Sequence, residues 1–330
     1  MKNLFMKVGM ITLLFALIIG VGASPVLAKK IVIKAVSFLP KPAKVMKTYG
    51  MYIKMVNEKA KGELVIKWVG GPDVIPKLDQ ANATRSGVID MAALPASYYM
   101  SIVPTAFNTC VLSEYTPMEE RKVGIFDFQL EEHANKGMRF LGHLETNHTF
   151  HCGVKTKVTS PKGLAGKKIR SMGLYNYFIK ALGASPVKVP HPEVYTALER
   201  GLVDGYMFPF SDVADLSLFE VCKYFIDHTF YENGNLVSIM NLKKWNKIPK
   251  HLQKVMIDAM IELEPQMYEI FARDQMAAKK KIIAKGMVPI KFSPADAKAY
   301  RALAFSSFEG GAKELCPPDK FAKMMKLVKK

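Results

Sequence analysis

The chain has 330 residues, more than one hydrophobic core usually serves, so two domains are expected. Hydrophobic residues make up 49%, charged residues 23%, and Gly 22 with Pro 19 is an ordinary share, which excludes collagen-like and low-complexity chains. The formal net charge is +18, yet only seven of the 47 basic residues are Arg, leaving 47 − 7 = 40 Lys; base and phosphate readers favour the Arg fork, so this excess reads as solvated helix faces and not as a nucleic-acid surface.

Lys2 and Lys7 precede an apolar run from Val8 to Val21, followed by Gly22, Ser24 and Pro25 and then by Val26-Leu27-Ala28. Small residues at Val26 and Ala28 suit a signal-peptidase site, and the run is shorter than the ~20 apolar residues of a membrane span. Residues 1–28 are therefore read as a cleaved secretory signal, with an uncleaved anchor as the alternative. The mature chain would begin near Lys29 with a charge of 18 − 2 = +16. A soluble protein of the periplasm is expected. Export places Cys110, Cys152, Cys222 and Cys316 in an oxidising compartment. Their spacings match no metal motif, and both a bridge and buried free thiols remain open.

Ile31–Val36 reads as a strand, and Lys44–Lys61 as an amphipathic helix closed by Gly62. Leu64–Val69 is a second strand, Pro76–Ser86 a helix closed by Gly87, and Val88–Ala93 a third strand. That order implies a parallel sheet with crossover helices. A second cycle follows. It has strands at Met138–Leu144, Thr149–Val154 and from Lys168 to Ser171, a helix at Tyr175–Leu182, an extended Pro186–Val189, a helix at Pro192–Arg200 and a strand at Val203–Phe208. Pro249–Lys285 then carries one long amphipathic helical pattern, with Pro265 inside it as an expected kink. A helix of that length would act as a strut across both units.

Catalytic signatures are absent: there is no GxSxG, HExxH, Walker loop or GxGxxG. His148 and His151, three apart on an extended segment, do not converge on one metal, so neither a metal nor another cofactor is expected. Glu119-Glu120, Glu131-Glu132 and the adjacent His133 read as solvated helix faces. Arg170 differs. It ends an apolar strand just before a turn and helix, a placement suited to a bidentate contact with a ligand carboxylate. On the residues alone, a surface Arg paired to an acid is the competing reading.

Residues 70–99 (GGPDVIPKLDQANATRSGVIDMAALPASYY) and 163–209 (GLAGKKIRSMGLYNYFIKALGASPVKVPHPEVYTALERGLVDGYMFP), with 241–259 and the long helix after them, resemble the DctP family of TRAP-transporter solute-binding proteins. The resemblance covers nearly the whole mature chain in order; its GxKIR and VYTALxxGxVDG segments are the specific part. It implies a two-lobed α/β periplasmic-binding-protein (Venus-flytrap) fold with a scaffold helix spanning both lobes. Lobe I would comprise 29–147 plus about 236–275, and lobe II 148–235 plus about 276–330. It further implies a monomeric binder that captures a small organic acid through Arg170 and delivers it to the small and large TRAP membrane subunits. An exported α/β enzyme, or a binder of small sulfonates, is the alternative.

This sequence departs from the family at the ligand-lining strand. Phe208 stands where an Asn often does, Met207 where some keto-acid binders carry a metal-ligating Glu, and no second Arg stands near Thr149–His151. Phe208, Tyr98, Tyr99, Phe150 and Phe38, with Phe210, are the expected lining. An apolar or aromatic monocarboxylate is then favoured over a sugar acid.

Overall fold

The computed structural model describes residues 30–171 and 175–330; the expected signal segment, 1–28, lies outside the described residues. The strands are β1 (Ile31–Ser37), β2 (Leu64–Gly70), β3 (Met91–Pro95), β4 (Met138–His143), β5 (Phe150–Val154), β6 (Lys168–Ser171), β7 (Ser185–Lys188), β8 (Gly205–Pro209), β9 (Tyr224–Ile226), β10 (Leu236–Asn241) and β11 (Val288–Ile290). The helices are α1 (Lys47–Lys59), α2 (Gln80–Ser86), α3 (Pro104–Leu112), α4 (Pro117–Val123), α5 (Ile125–Ala134), α6 (Asn176–Ala181), α7 (Val194–Glu199), α8 (Phe210–Asp215), α9 (Leu242–Asn246), α10 (Lys250–Ala284), α11 (Pro294–Leu315) and α12 (Pro318–Val328).

Two sheets result. The first has the order β2-β1-β3-β10-β4, and the second β11-β9-β5-β8-β6-β7. β1 runs parallel to both β2 and β3, as strand–helix–strand crossovers require. β4, which the sequence places at the head of the second cycle, instead closes the first sheet by pairing antiparallel with β10. The chain crosses between the sheets three times, after β4, before β10 and along α10 to β11, which joins the two lobes of the α/β fold.

Alternation of side chains builds the layers. On β3, Met91 and Ala93 pack with Tyr49, Tyr52 and Val56 of α1 and with Met256 and Met260 of α10. Ala92 and Leu94 face the other way, onto Ala106 and Phe107 of α3. On β8, Met207 joins Phe178 of α6 and Tyr300 of α11. Its neighbours Tyr206 and Phe208 join Val194 and Leu198 of α7.

The long helix runs unbroken through Pro265 for 35 residues, about 52 Å. Leu252, Met256, Met260, Leu263, Met267 and Phe271 belong to the core of the first lobe, while Ile282 belongs to the second. One rigid element thus spans both. The terminal helix α12 turns back to the first lobe: Lys320 pairs with Glu132 of α5 at 2.7 Å, and Glu114 N donates to Val328 O at 2.9 Å.

Two sequence expectations change here. β3 begins at Met91, not Val88, because Gly87 ends α2 in the left-handed region at φ 85° and the chain needs Val88 to Asp90, with Val88 72% exposed, to turn into the sheet. Glu120, Glu132 and His133 are buried and not solvated. Glu120 Oε2 lies 2.7 Å from His143 Nε2 of β4, and His133, on the buried face of α5, meets Tyr99. Hydrophobic periodicity cannot show such pairs, because each polar member is satisfied by a residue distant in sequence. All four cysteines are buried free thiols, and burial raises Cys222 to about 12 and Cys316 to about 11.

Candidate functional site

Between the lobes lies a cleft of about 170 Å³ bordered by Phe38, Pro95, Tyr98, Phe150, Arg170 and Phe208, among others. Its walls come from the carboxyl ends of β1, β3, β6 and β8 and from the start of β5, which runs antiparallel to β8. Ligands of open α/β sheets bind at this position.

Arg170 is opposite Tyr206 in the β6–β8 register, and Phe208 lies two residues on, so all three project from one face of the second sheet. The guanidinium carbon sits 4.3 Å from the Phe208 ring centroid, within cation–π range. Nε donates to Val189 O at 3.0 Å. Arg170 is only 5% exposed, and among the described residues no carboxylate lies within ion-pair distance of it. Burial lowers its pKa to about 10, against the opposing fields of Tyr175, Asp212 and Tyr98. It is a cation held largely out of water with its terminal nitrogens lacking a carboxylate from the protein. That arrangement favours an incoming anion.

Tyr98 closes the cleft from the first lobe, edge-on to Phe38 with ring centroids 5.9 Å apart. Burial raises its pKa, while the Arg170 charge acts against that shift. Phe150 forms another wall, 4.9 Å from the ring of Tyr231. Five of the seven expected residues, Arg170, Phe208, Tyr98, Phe150 and Phe38, therefore meet at one cleft.

Tyr99 does not join them. It is 1% exposed, and its hydroxyl lies 2.9 Å from His133 Nε2 in the first lobe. The short 3-10 turn Ala96–Tyr99 points consecutive side chains in different directions, so Tyr98 and Tyr99 cannot share a wall. Phe210 is also core, stacked on His151 at 4.0 Å.

Other polar groups border the cleft that sequence reasoning missed. Glu145, in the crossing after β4, pairs with His148 Nδ1 and accepts from Leu236 N at 3.1 Å. His148 Nε2 meets Ser211 Oγ of α8 at 3.2 Å, a contact between the crossing segment and the second lobe. A Cβ on Gly234 would fall 1.9 Å from Glu145 Cδ, so the glycine leaves space for that carboxylate. Asp212 lies 3.3 Å from His191 Nε2, and His191 is edge-on to Phe208. Lys77 brings a half-buried ammonium from the first lobe, with no ion-pair partner among the described residues. Lys77 falls in the helix that the sequence reads from Pro76, but that helix begins only at Gln80 and Lys77 sits in the turn before it, where no sequence signal marked it as a site residue. The exposed pair Lys44–Asp215 also joins the two lobes. His151 bonds Thr149 Oγ1 and Ile226 O, apart from His148. Among the described residues there is no group of three or more side chains suited to a metal ion.

A family model described as "Bacterial extracellular solute-binding protein, family 7" (DctP) matches residues 38–309. A monocarboxylate 2-oxoacid-binding periplasmic protein of Nostoc is 24% identical over 268 residues, covering 78% of this chain and 73% of the relative. A 2,3-diketo-L-gulonate-binding periplasmic protein of Escherichia coli is 25% identical over 233 residues, 67% of this chain and 69% of the relative. Among solved structures, a TRAP periplasmic solute-binding protein from Desulfovibrio salexigens with bound orotic acid superposes with TM-score 0.77 at 19% identity, covering 91% of this chain and 97% of that one. A Bordetella pertussis extracytoplasmic solute receptor binding pyroglutamic acid gives TM-score 0.76 at 15% identity, covering 91% and 99%.

Proposed function

Since the chain belongs to the bacterial extracellular solute-binding protein family 7, and is a binding protein and not an enzyme, we propose that its cleft captures a small organic acid by seating the carboxylate on Arg170. The observation that carries this is the burial of Arg170 without a carboxylate partner. A bidentate carboxylate supplies what the guanidinium lacks, and the pair gains strength in a water-poor cleft. The body of the ligand lies against Phe208, Tyr98, Phe38 and Phe150, which offer ring faces and one hydroxyl. The ring faces favour an apolar or aromatic body for the monocarboxylate, and the polar groups at the border, Glu145, His148, His191, Asp212 and Lys77, leave room for polar substituents on it.

The acid is released in the periplasm to the small and large membrane subunits of a TRAP transporter, after export through a signal segment at residues 1–28. Lobe I, 29–147 with about 236–275, and lobe II, 148–235 with about 276–330, whose terminal helix α12 reaches back onto lobe I, close over the ligand about the segments that cross between them. Binding to the closed form alone shifts the population toward it.

A thermal-shift screen tests the reading. Branched or aromatic monocarboxylates are expected to raise the melting temperature. Stabilisation by dicarboxylates alone would assign a second anion to Lys77, and stabilisation by sulfonates alone would assign the Arg170 site to that group. No response to any anion would overturn the clamp.

A further inference from the structure

We infer that the exposed face of the scaffold helix α10 is a self-association surface, on which a second copy of this chain docks antiparallel about a two-fold axis at Ala272. The helix buries one side in both lobes, but its outer side is not polar throughout. Ile261, Tyr268, Met276 and Ile283 are exposed by 45%, 38%, 62% and 41%. At 3.6 residues per turn these four and the half-buried Ala272 fall within an arc of about 80°, a seam along the helix that also holds Pro265 and Lys279, the latter turned onto Asp227 of the second lobe.

The seam reads the same in both directions. Ile261 and Ile283 each stand 11 positions from Ala272 (272 − 261 and 283 − 272), and Tyr268 and Met276 each stand 4 (272 − 268 and 276 − 272). An antiparallel partner would therefore bring Ile261 to Ile283, Tyr268 to Met276 and Ala272 to Ala272. This is the self-complementarity that a two-fold interface needs. The small central residue lets the helices approach most closely at the axis.

Charge follows the same symmetry. On one flank of the seam, Glu262 and Glu269 precede Ala272, while Arg273 and Lys280 follow it. In an antiparallel pair equivalent flanks meet, so the acidic half of each helix lies beside the basic half of its partner. Glu269 and Lys280 have no ion-pair partner among the described residues. Glu262 pairs with Lys59 and Arg273 with Asp274, but these are exposed pairs of little strength and free to exchange. A single pair of helices buries less than the ~800 Å² per partner of a standard stable complex, so the dimer is a weak one, in the micromolar range. The expectation of a monomer from sequence holds, on this inference, only at low concentration.

Sedimentation velocity on the full mature chain, from about 1 to 300 µM, tests this. The expected result is a shift from monomer to dimer mass across that range. Ala272→Glu puts two carboxylates on the axis and is expected to raise the dissociation constant more than about tenfold, with the circular dichroism melt retained. Two charge variants sharpen the test: Glu262→Lys/Glu269→Lys makes the flank wholly basic, and Arg273→Glu/Lys280→Glu makes it wholly acidic. Each is expected to stay monomeric alone and to pair when the two are mixed. A monomer at every concentration, a dimer indifferent to Ala272→Glu, or no pairing of the mixed charge variants would overturn the inference.

Discussion

Arg121 and Arg170 both hold a guanidinium away from bulk water, one under the scaffold helix and one at the cleft. Arg121 is met by Glu264, with Nε 2.9 Å from both carboxylate oxygens and Nη2 2.6 Å from Oε1, over the Phe126 ring at 3.8 Å. Arg170 has the ring, Phe208, and one carbonyl, but no carboxylate. The first site is complete and ties α4 to α10. On the proposed function, the second is completed by an anion from outside. The difference would then separate a fold-holding cation from a ligand-holding one, although both stand on similar aromatic supports.

Removing each cation's role should break the molecule in different ways. Arg170→Ala is expected to cost about 3–5 kcal/mol of ligand binding, read by calorimetry, because it strands a buried anion. Its melting temperature without ligand should not fall, since no internal ion pair is lost. Arg170→Lys should bind poorly as well, because the planar fork is gone. Glu264→Ala should do the reverse. It leaves Arg121 unpaired in a largely buried place and is expected to cost about 3–5 kcal/mol of stability in denaturant melts, with ligand affinity of the folded fraction unchanged. Phe208→Ala should weaken binding by about 1–2 kcal/mol, since it removes one wall and the cation–π support but leaves the guanidinium.

The buried histidines extend the comparison to pH. Burial lowers His133 and His151 to about 4, so both are neutral in the folded protein. The stability they contribute is present above the ordinary ~6.5 and is lost as pH falls through about 4, because the unfolded chain takes up the protons first. For His143, burial works against the charge, but Glu120 and Cys110 together raise its pKa well above the usual value. Its contribution is present below ~6.5 and is lost as pH rises through that raised folded value. Urea melts across pH should therefore show an acid limb that survives Glu120→Gln and an alkaline limb that the substitution removes.

Much of the fold was legible because its signals are local. The parallel β1–β2–β3 unit follows from strand, helix and glycine-cap patterns between residues 31 and 95, and the 35-residue helix from its period alone. The assignment of β4 was not legible in the local pattern, because its partner β10 lies about a hundred residues away and strand pairing is non-local; only the lobe bounds implied by the family resemblance, 29–147 with about 236–275, hold both strands together. The same division holds at the cleft. Arg170 and Phe208 were legible through their strand positions and the family resemblance. Tyr98 and Tyr99 could not be told apart, since a 3-10 turn carries no period-2 signal. Glu145 and His148 were hidden in a crossing segment whose meaning depends on which lobes it joins.

A crystal structure with a stabilising organic acid from the thermal-shift screen tests the central claim most directly. The expected result is a carboxylate bidentate on the terminal nitrogens of Arg170, at about 2.7–2.9 Å, with the body of the acid between Phe208 and Tyr98. A carboxylate seated on Lys77 or elsewhere in the cleft, with Arg170 making no contact to it, would contradict the account.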